Sequence, residues 1–170
     1  AVLMHWRDPN FQPSRQRPIV LLAHFSWNNR FRDDLFPLID EYRRFADVIV
    51  VSSASGLHWH PRTLHRLRQR CAAIVIRRNQ GYDFGSWKAA LNLHRRDINQ
   101  AAFLVLTNDS FWGPITPLDD LFQRLHASSA DVIGLTDDLM YEPHLSSAFT
   151  AYKSKALHCQ AFNRFWDALQ

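Results

Sequence analysis

The stretch "AAFLVLTNDS" (101–110) decides how this chain folds. Four consecutive apolar residues, Phe103 to Leu106, stop abruptly at Thr107-Asn108-Asp109-Ser110, and Gly113-Pro114 follows as a turn signal. The apolar run is too short for a helix and has no polar alternation, so it reads as a strand buried on both faces. Such a strand belongs to a parallel sheet covered by helices on both sides. Its polar end then emerges at the carboxyl edge of the sheet, where ligands bind in folds of this kind.

Outward from this strand the same pattern recurs. "PIVLLAHFS" (18–26), "ADVIVVSSAS" (46–55), residues 72–78 and "DVIGLTDD" (131–138) read as strands, and "SSAFTAYKS" (146–154) as one more, placed antiparallel. Helical spacings separate them. The first is "RDDLFPLIDEYRRF" (32–45), which Pro37 starts near Phe36; the next two span 61–71 and about 84–95. "TPLDDLFQRLHAS" (116–128) has Thr116 as N-cap and Pro117 at its first position. "SKALHCQAFNRFWDAL" (154–169) turns Leu157, Phe162, Phe165 and Trp166 inward. Strands alternating with helices predict an α/β/α sandwich with a mainly parallel sheet over residues 18–170, after an irregular, Pro-rich lead-in at 1–17.

Composition narrows the function classes. The 170 residues are 46% hydrophobic and 21% charged, enough for one domain with a real core. No apolar run is long enough to span a membrane, and the first 20 residues carry no leader pattern. Cys71 and Cys159 make neither a metal-ligand spacing nor a disulfide framework, so a cytoplasmic setting is expected. The net charge of +4 raises nucleic acid as a partner, but the arginines are spread out and accompany no nucleic-acid motif. Arg62, Arg66 and Arg70 share one helix face, which reads as solvated and could also meet anionic lipid at the inner face of the cell membrane.

The strand ends form a set: His24-Phe25-Ser26, Ser52-Ser53, Asn79-Gln80-Gly81, Thr107 to Ser110, and Thr136-Asp137-Asp138. All are rich in polar groups, which core packing alone does not require. Asp109 between Asn108 and Ser110 offers hard oxygen ligands suited to Mg²⁺ or Mn²⁺, or else opens an Asx-turn. Asp137 and Asp138 could supply a general base or be solvated turn residues. His144, after Pro143, could be a metal ligand, a base or a substrate contact. In "RRNQGYDFGSWKAAL" (77–91), Asn79 suits a base or ribose edge, and Gly81 and Gly85 permit positive φ or close backbone approach. Asp83 could accept sugar hydroxyls or cap the next helix, while Trp87 belongs to the core. The spacing is neither the dinucleotide fingerprint nor a P-loop.

Taken in order, N-x-G-x-D-x-G-x-W (79–87), "TNDSFWGPITPL" (107–118), "DVIGLTDD" (131–138) and "HLSSAFTAYKSKAL" with "FNRFW" (144–166) resemble the rhamnan synthesis protein F family across residues 18–167. The resemblance implies a GT-A-like (Rossmann-like) glycosyltransferase of bacterial polysaccharide or lipopolysaccharide synthesis, with a nucleotide-diphosphate sugar lying across the strand ends. Asn108-Asp109-Ser110 takes the place of the Asp-x-Asp motif, with one carboxylate where that motif has two. On this likeness Asp109, completed by His144, is the site for Mg²⁺ or Mn²⁺. Asn79, Gly81 and Asp83 line the nucleotide and donor sugar, and His24, Ser52 and Ser53 meet the base and ribose. Asp137 or Asp138 is the base, with His144, Ser146 and Ser147 on the acceptor side. The implied reaction is inverting transfer of a deoxysugar, from a donor such as dTDP-rhamnose, to a saccharide or lipid-linked saccharide. The domain would act alone or as a module of a larger synthase. The single carboxylate also admits an alternative, a non-catalytic module that binds nucleotide sugar or carbohydrate.

Overall fold

The structure is a computed structural model and describes residues 1–110, 112–139 and 142–169. Phe111, inside the 107–118 block, and Gln170, the end of the expected domain, lie outside the described residues. Strands β1 (Val2–Arg7), β2 (Ile19–His24), β3 (Asp47–Ser52), β4 (Ala73–Arg77), β5 (Phe103–Asn108), β6 (Val132–Gly134) and β9 (Phe149–Lys153) form one sheet, ordered β1-β4-β3-β2-β5-β9-β6. Strands β4, β3, β2 and β5 run parallel, whereas β1, on β4, and β9, between β5 and β6, are antiparallel to their neighbours. A two-residue pair, β7 (Asp137–Asp138) with β8 (His144–Leu145), forms a separate ribbon.

Strand pleating divides the apolar runs between two layers of helices. Val20, Leu22, Val48, Val50, Ile74, Ile76, Phe103 and Val105 face α1 (Leu35–Tyr42), α2 (Pro61–Arg68) and α4 (Asp119–Ala127). Leu21, Ala23, Ile49, Val51, Val75, Leu104 and Leu106 face α3 (Tyr82–Gln100), α5 (Ser154–Leu157) and α6 (Gln160–Ala168). Each such Val, Leu or Ile contributes about 1.5–3 kcal/mol by burial, which is why the strands carry no polar alternation. The result is a mixed α/β fold with a mainly parallel central sheet.

Several expectations are corrected. The lead-in is not irregular throughout: Val2–Arg7 pairs with β4, and Met4 and Trp6 pack on the core while the prolines fall after the strand. Helix α3 starts earlier and runs to Gln100, with a non-helical kink at His94. Thr116 does not cap α4; the helix begins at Asp119, and the Leu118 N–H before it is taken by the Glu41 carboxylate of α1 at 2.8 Å. The 131–138 strand is really β6 followed by β7, so Asp137 and Asp138 belong to the ribbon and not to the sheet. The C-terminal helix breaks after Leu157 and restarts with Cys159 as N-cap, its sulfur accepting the Phe162 N–H at 3.3 Å. Phe165 is half exposed, unlike Leu157 and Trp166.

Candidate functional site

The chain steps outward from β2 to β3 and β4, then returns through α3 to place β5 on the other side of β2. Strand order therefore reverses between β2 and β5, the position at which open α/β sheets form a ligand crevice beyond their carboxyl ends. Asp109, the first residue past β5, stands there. Its Oδ2 accepts the Phe25 N–H from the end of β2 at 3.3 Å, so one hydrogen bond bridges the two strand ends. Arg32, from the loop after β2, donates to the Asp109 carbonyl at 2.7 Å and pairs through both Nε and Nη2 with Asp34. The Arg32 guanidinium also lies over the Trp112 ring at 4.8 Å.

A second carboxylate arrives from α3. Gly81 sits at φ 73° and Tyr82 at φ 50°, both left-handed, so the chain turns sharply out of β4 into the helix. That turn brings Asp83, in the first helical turn, to Asn108, whose Nδ2 donates to Asp83 Oδ2 at 2.8 Å. Asn108 Oδ1 in turn accepts the Ser110 N–H at 3.1 Å. Burial raises the Asp83 carboxyl above its ordinary value, opposed by the Asn108 bond. Burial raises Asp109 as well; the Phe25 N–H and Arg32 oppose this and the Asp83 charge adds to it. The Asp83 charge is one cause that raises Asp109, and a positive charge near both would oppose it. Asp109 and Asp83 are the side chains at this junction that could offer oxygen to a hard cation.

The other predicted residues divide. Asn79 and Gly81 are exposed on the same edge, beside Asp83. His24 and Ser52 are 1% and 0% exposed; His24 Nδ1 bonds to Ser52 Oγ at 2.8 Å and its ring packs on Phe31. Ser53 is also buried, donating through Oγ to the His24 carbonyl. These three support the strand ends and present almost no surface to a ligand. Asp137, Asp138 and His144 are exposed on the ribbon, which Leu145 packs onto Gly134 at the end of β6. Strand β6 lies two strands from β5, a lateral distance of about 10 Å. His144 Nδ1 engages the Glu142 carbonyl at 2.8 Å, Ser146 N–H donates to the Thr136 carbonyl at 2.9 Å, and Ser147 is exposed. Among the described residues, no group of three or more His, Cys, Asp or Glu side chains could hold a metal.

Sequence reasoning missed Arg32, which it took into the helical stretch 32–45 although the helix begins only at Leu35, and the partnership of Asp83 with Asn108, which needs two segments brought together. Arg77 is buried, donates to the Gln80 and Tyr82 carbonyls and reaches Ser86 Oγ at 3.0 Å, so its charge holds the turn. Gly85 serves that same turn. A Cβ there would lie 2.0 Å from the Gln80 oxygen, so the close approach is to the chain's own backbone. Trp87 is in the core as expected, donating to the Thr107 carbonyl at 3.1 Å. Of the Arg62, Arg66 and Arg70 set, Arg66 pairs with Asp33, and Arg70, which lies beyond the end of α2 at Arg68, pairs with Asp40.

The model of the family described as rhamnan synthesis protein F matches residues 48–170. An uncharacterized protein of Sinorhizobium fredii (strain NBRC 101917 / NGR234), y4gN, is 34% identical over 124 residues, covering 70% of this chain and 31% of that protein. The chain thus spans about a third of the length of this curated relative. No solved structure matches. The chain belongs to the rhamnan synthesis protein F family. Among the described residues no helix is long and apolar enough to cross a membrane.

Proposed function

We propose that this member of the family is the nucleotide-sugar-binding domain of a GT-A-like glycosyltransferase that moves a deoxysugar, rhamnose in the first instance, onto a growing saccharide. The single observation that carries the reading is the junction of β2, β5 and α3, where Asp109, Asn108 and Asp83 meet at the reversal of strand order. A nucleotide diphosphate is the ligand class for which such a crevice is best suited.

In this reading Asp109 and Asp83 would hold Mg²⁺ or Mn²⁺, which would supply positive charge against the diphosphate. Asn79 and the backbone at Gly81 line the donor. The bond from the anomeric carbon to the diphosphate breaks while the acceptor hydroxyl oxygen bonds that carbon from the opposite face, inverting it. The acceptor's proton passes to a carboxylate, Asp137 or Asp138, which the ribbon carries along the same edge. His24 and Ser52 act by positioning: their buried pair fixes the ends of β2 and β3. An acceptor attached to lipid would bring the domain to the inner face of the cell membrane.

The test is thermal shift with a panel of nucleotide-diphosphate sugars, with and without Mg²⁺ or Mn²⁺. A deoxysugar donor at 100 times its Kd stabilises by about 2.7 kcal/mol. Asp109→Ala is expected to abolish the shift. Absence of any shift in the wild type, or an undiminished shift in Asp109→Ala, refutes the reading. A metal-dependent shift without donor turnover favours the second reading, a binding module that kept the site and lost the chemistry.

A further inference from the structure

On the α3 side of the sheet, a cavity of about 380 Å³ opens between α3, α6, β9 and the β7–β8 ribbon. Phe84, Trp87, Phe162, Phe165 and Trp166 supply aromatic walls, and among the described residues no lining side chain is charged. The rings are already mutually packed: Phe84 stacks on Trp166 at 6.0 Å and meets Trp87 edge-on at 5.2 Å. Core packing does not account for the opening, because Phe84, Phe165, Val132 and Leu145 all remain substantially exposed around it. Hydroxyls of Ser147, Thr150 and Tyr152 give it a sparse polar complement. A concave, mostly apolar space with few polar groups is the ordinary form of a small-molecule site.

Its position relates it to the carboxylate pair. Leu106 on its wall and Asn108, bonded to Asp83, lie on one face of β5, two residues or about 6.6 Å apart. Phe84, another wall residue, directly follows Asp83. A ligand in the cavity therefore ends next to the site proposed for the donor.

We propose that this cavity is the acceptor subsite and that it takes the terminal deoxyhexosyl ring of the growing chain, with its methyl group and C–H face on the aromatic walls. The proposal rests on the glycosyl-transfer reading. The uncharged lining disfavours a diphosphate or a uronic acid, for which buried unpaired charge would be costly. A neutral 6-deoxy ring has the apolar face and methyl group that this lining suits.

Cys159 gives a direct test, because it lines the cavity and is exposed whereas Cys71 is buried. The rate of Cys159 alkylation by N-ethylmaleimide, read by mass spectrometry, is to be measured with three added probes: a rhamnose-terminated oligosaccharide, a glucuronate-terminated one and a short-chain prenyl phosphate. The rhamnose-terminated probe is expected to slow alkylation saturably and the glucuronate-terminated probe to leave it unchanged. Phe165→Ala is expected to weaken protection by about threefold to tenfold, the loss of one aromatic contact. The donor-induced thermal shift stays as in the wild type. Leu145→Ala, on the ribbon, repeats the test where Phe165→Ala disturbs the fold. Lack of saccharide protection while donor still stabilises the wild type overturns the inference alone, as does protection by the prenyl phosphate only. Saccharide protection with no donor shift upholds the cavity as a saccharide site and removes the transfer reading.

Discussion

Replacing Gly85 by alanine tests whether the glycine serves the protein's own turn. In an exposed helical turn the change would stabilise by about 1 kcal/mol, since alanine is the better helix former. Here the new Cβ would sit 2.0 Å from the Gln80 oxygen and 2.8 Å from Arg77 Nη2, against a normal carbon–oxygen contact of about 3.5 Å. The neighbour at the nearest contact is backbone, so the 77–81 turn must move by more than about 1 Å. That movement strains the turn, an overpacking cost of about 1–3 kcal/mol. It also loosens charge-assisted bonds from buried Arg77, each contributing about 1.5–3 kcal/mol. Offset by propensity, the net loss is about 2–4 kcal/mol. For a domain of this size it corresponds to a fall in Tm of about 5–15 °C. Urea denaturation with the slope compared to wild type is the assay. Because the same turn carries Asp83, donor affinity is expected to fall too. A Gly85→Ala protein as stable as wild type, or more stable, refutes the packing account and returns Gly85 to a ligand-facing role.

Other outcomes follow from burial and charge. Burial holds the His24 imidazole down at about 4. As pH falls below about 6.5 the unfolded chain therefore binds the proton first, and stability present above pH 6.5 is lost towards pH 4 by about 3 kcal/mol. His24→Leu should remove most of that acid loss, and equal acid sensitivity in Tm scans would contradict it. The raised Asp83 carboxyl means that stability is lost as pH rises from the unfolded carboxylate range through the folded value. Asp83→Asn should accordingly be more stable than wild type at pH 7, with the advantage gone near pH 3, while binding donor and metal less well. A less stable Asp83→Asn at pH 7 in urea titrations counts against this. Native protein should release one rapidly reacting thiol, Cys159, and a second only on unfolding. Cys71 is buried and its thiol is pushed up to about 12. Two fast thiols in a native titration would show the core to be open.

The apolar runs by themselves determined the layered α/β architecture. Strands such as Ile19–His24 and Phe103–Asn108 are buried on both faces, and only a sheet between two helical layers removes that much surface from water. They also placed Asp109 at the sheet edge, because a carboxylate just past an apolar strand is costly to bury without a partner. Tertiary structure alone decided which edge groups meet. Asp83 and Asn108 stand 25 residues apart and join through a left-handed turn that no periodicity encodes. Arg32 reaches Asp109 across 77 residues. His24 and Ser52 look like surface polar ends in the sequence but pair inside, through His24 Nδ1 and Ser52 Oγ, while His24 Nε2 is buried with no hydrogen-bond partner among the described residues. The short strand Val2–Arg7 and the detached Asp137–Asp138 ribbon were hidden for a related reason: strand pairing partners lie far along the chain, and local pattern does not name them.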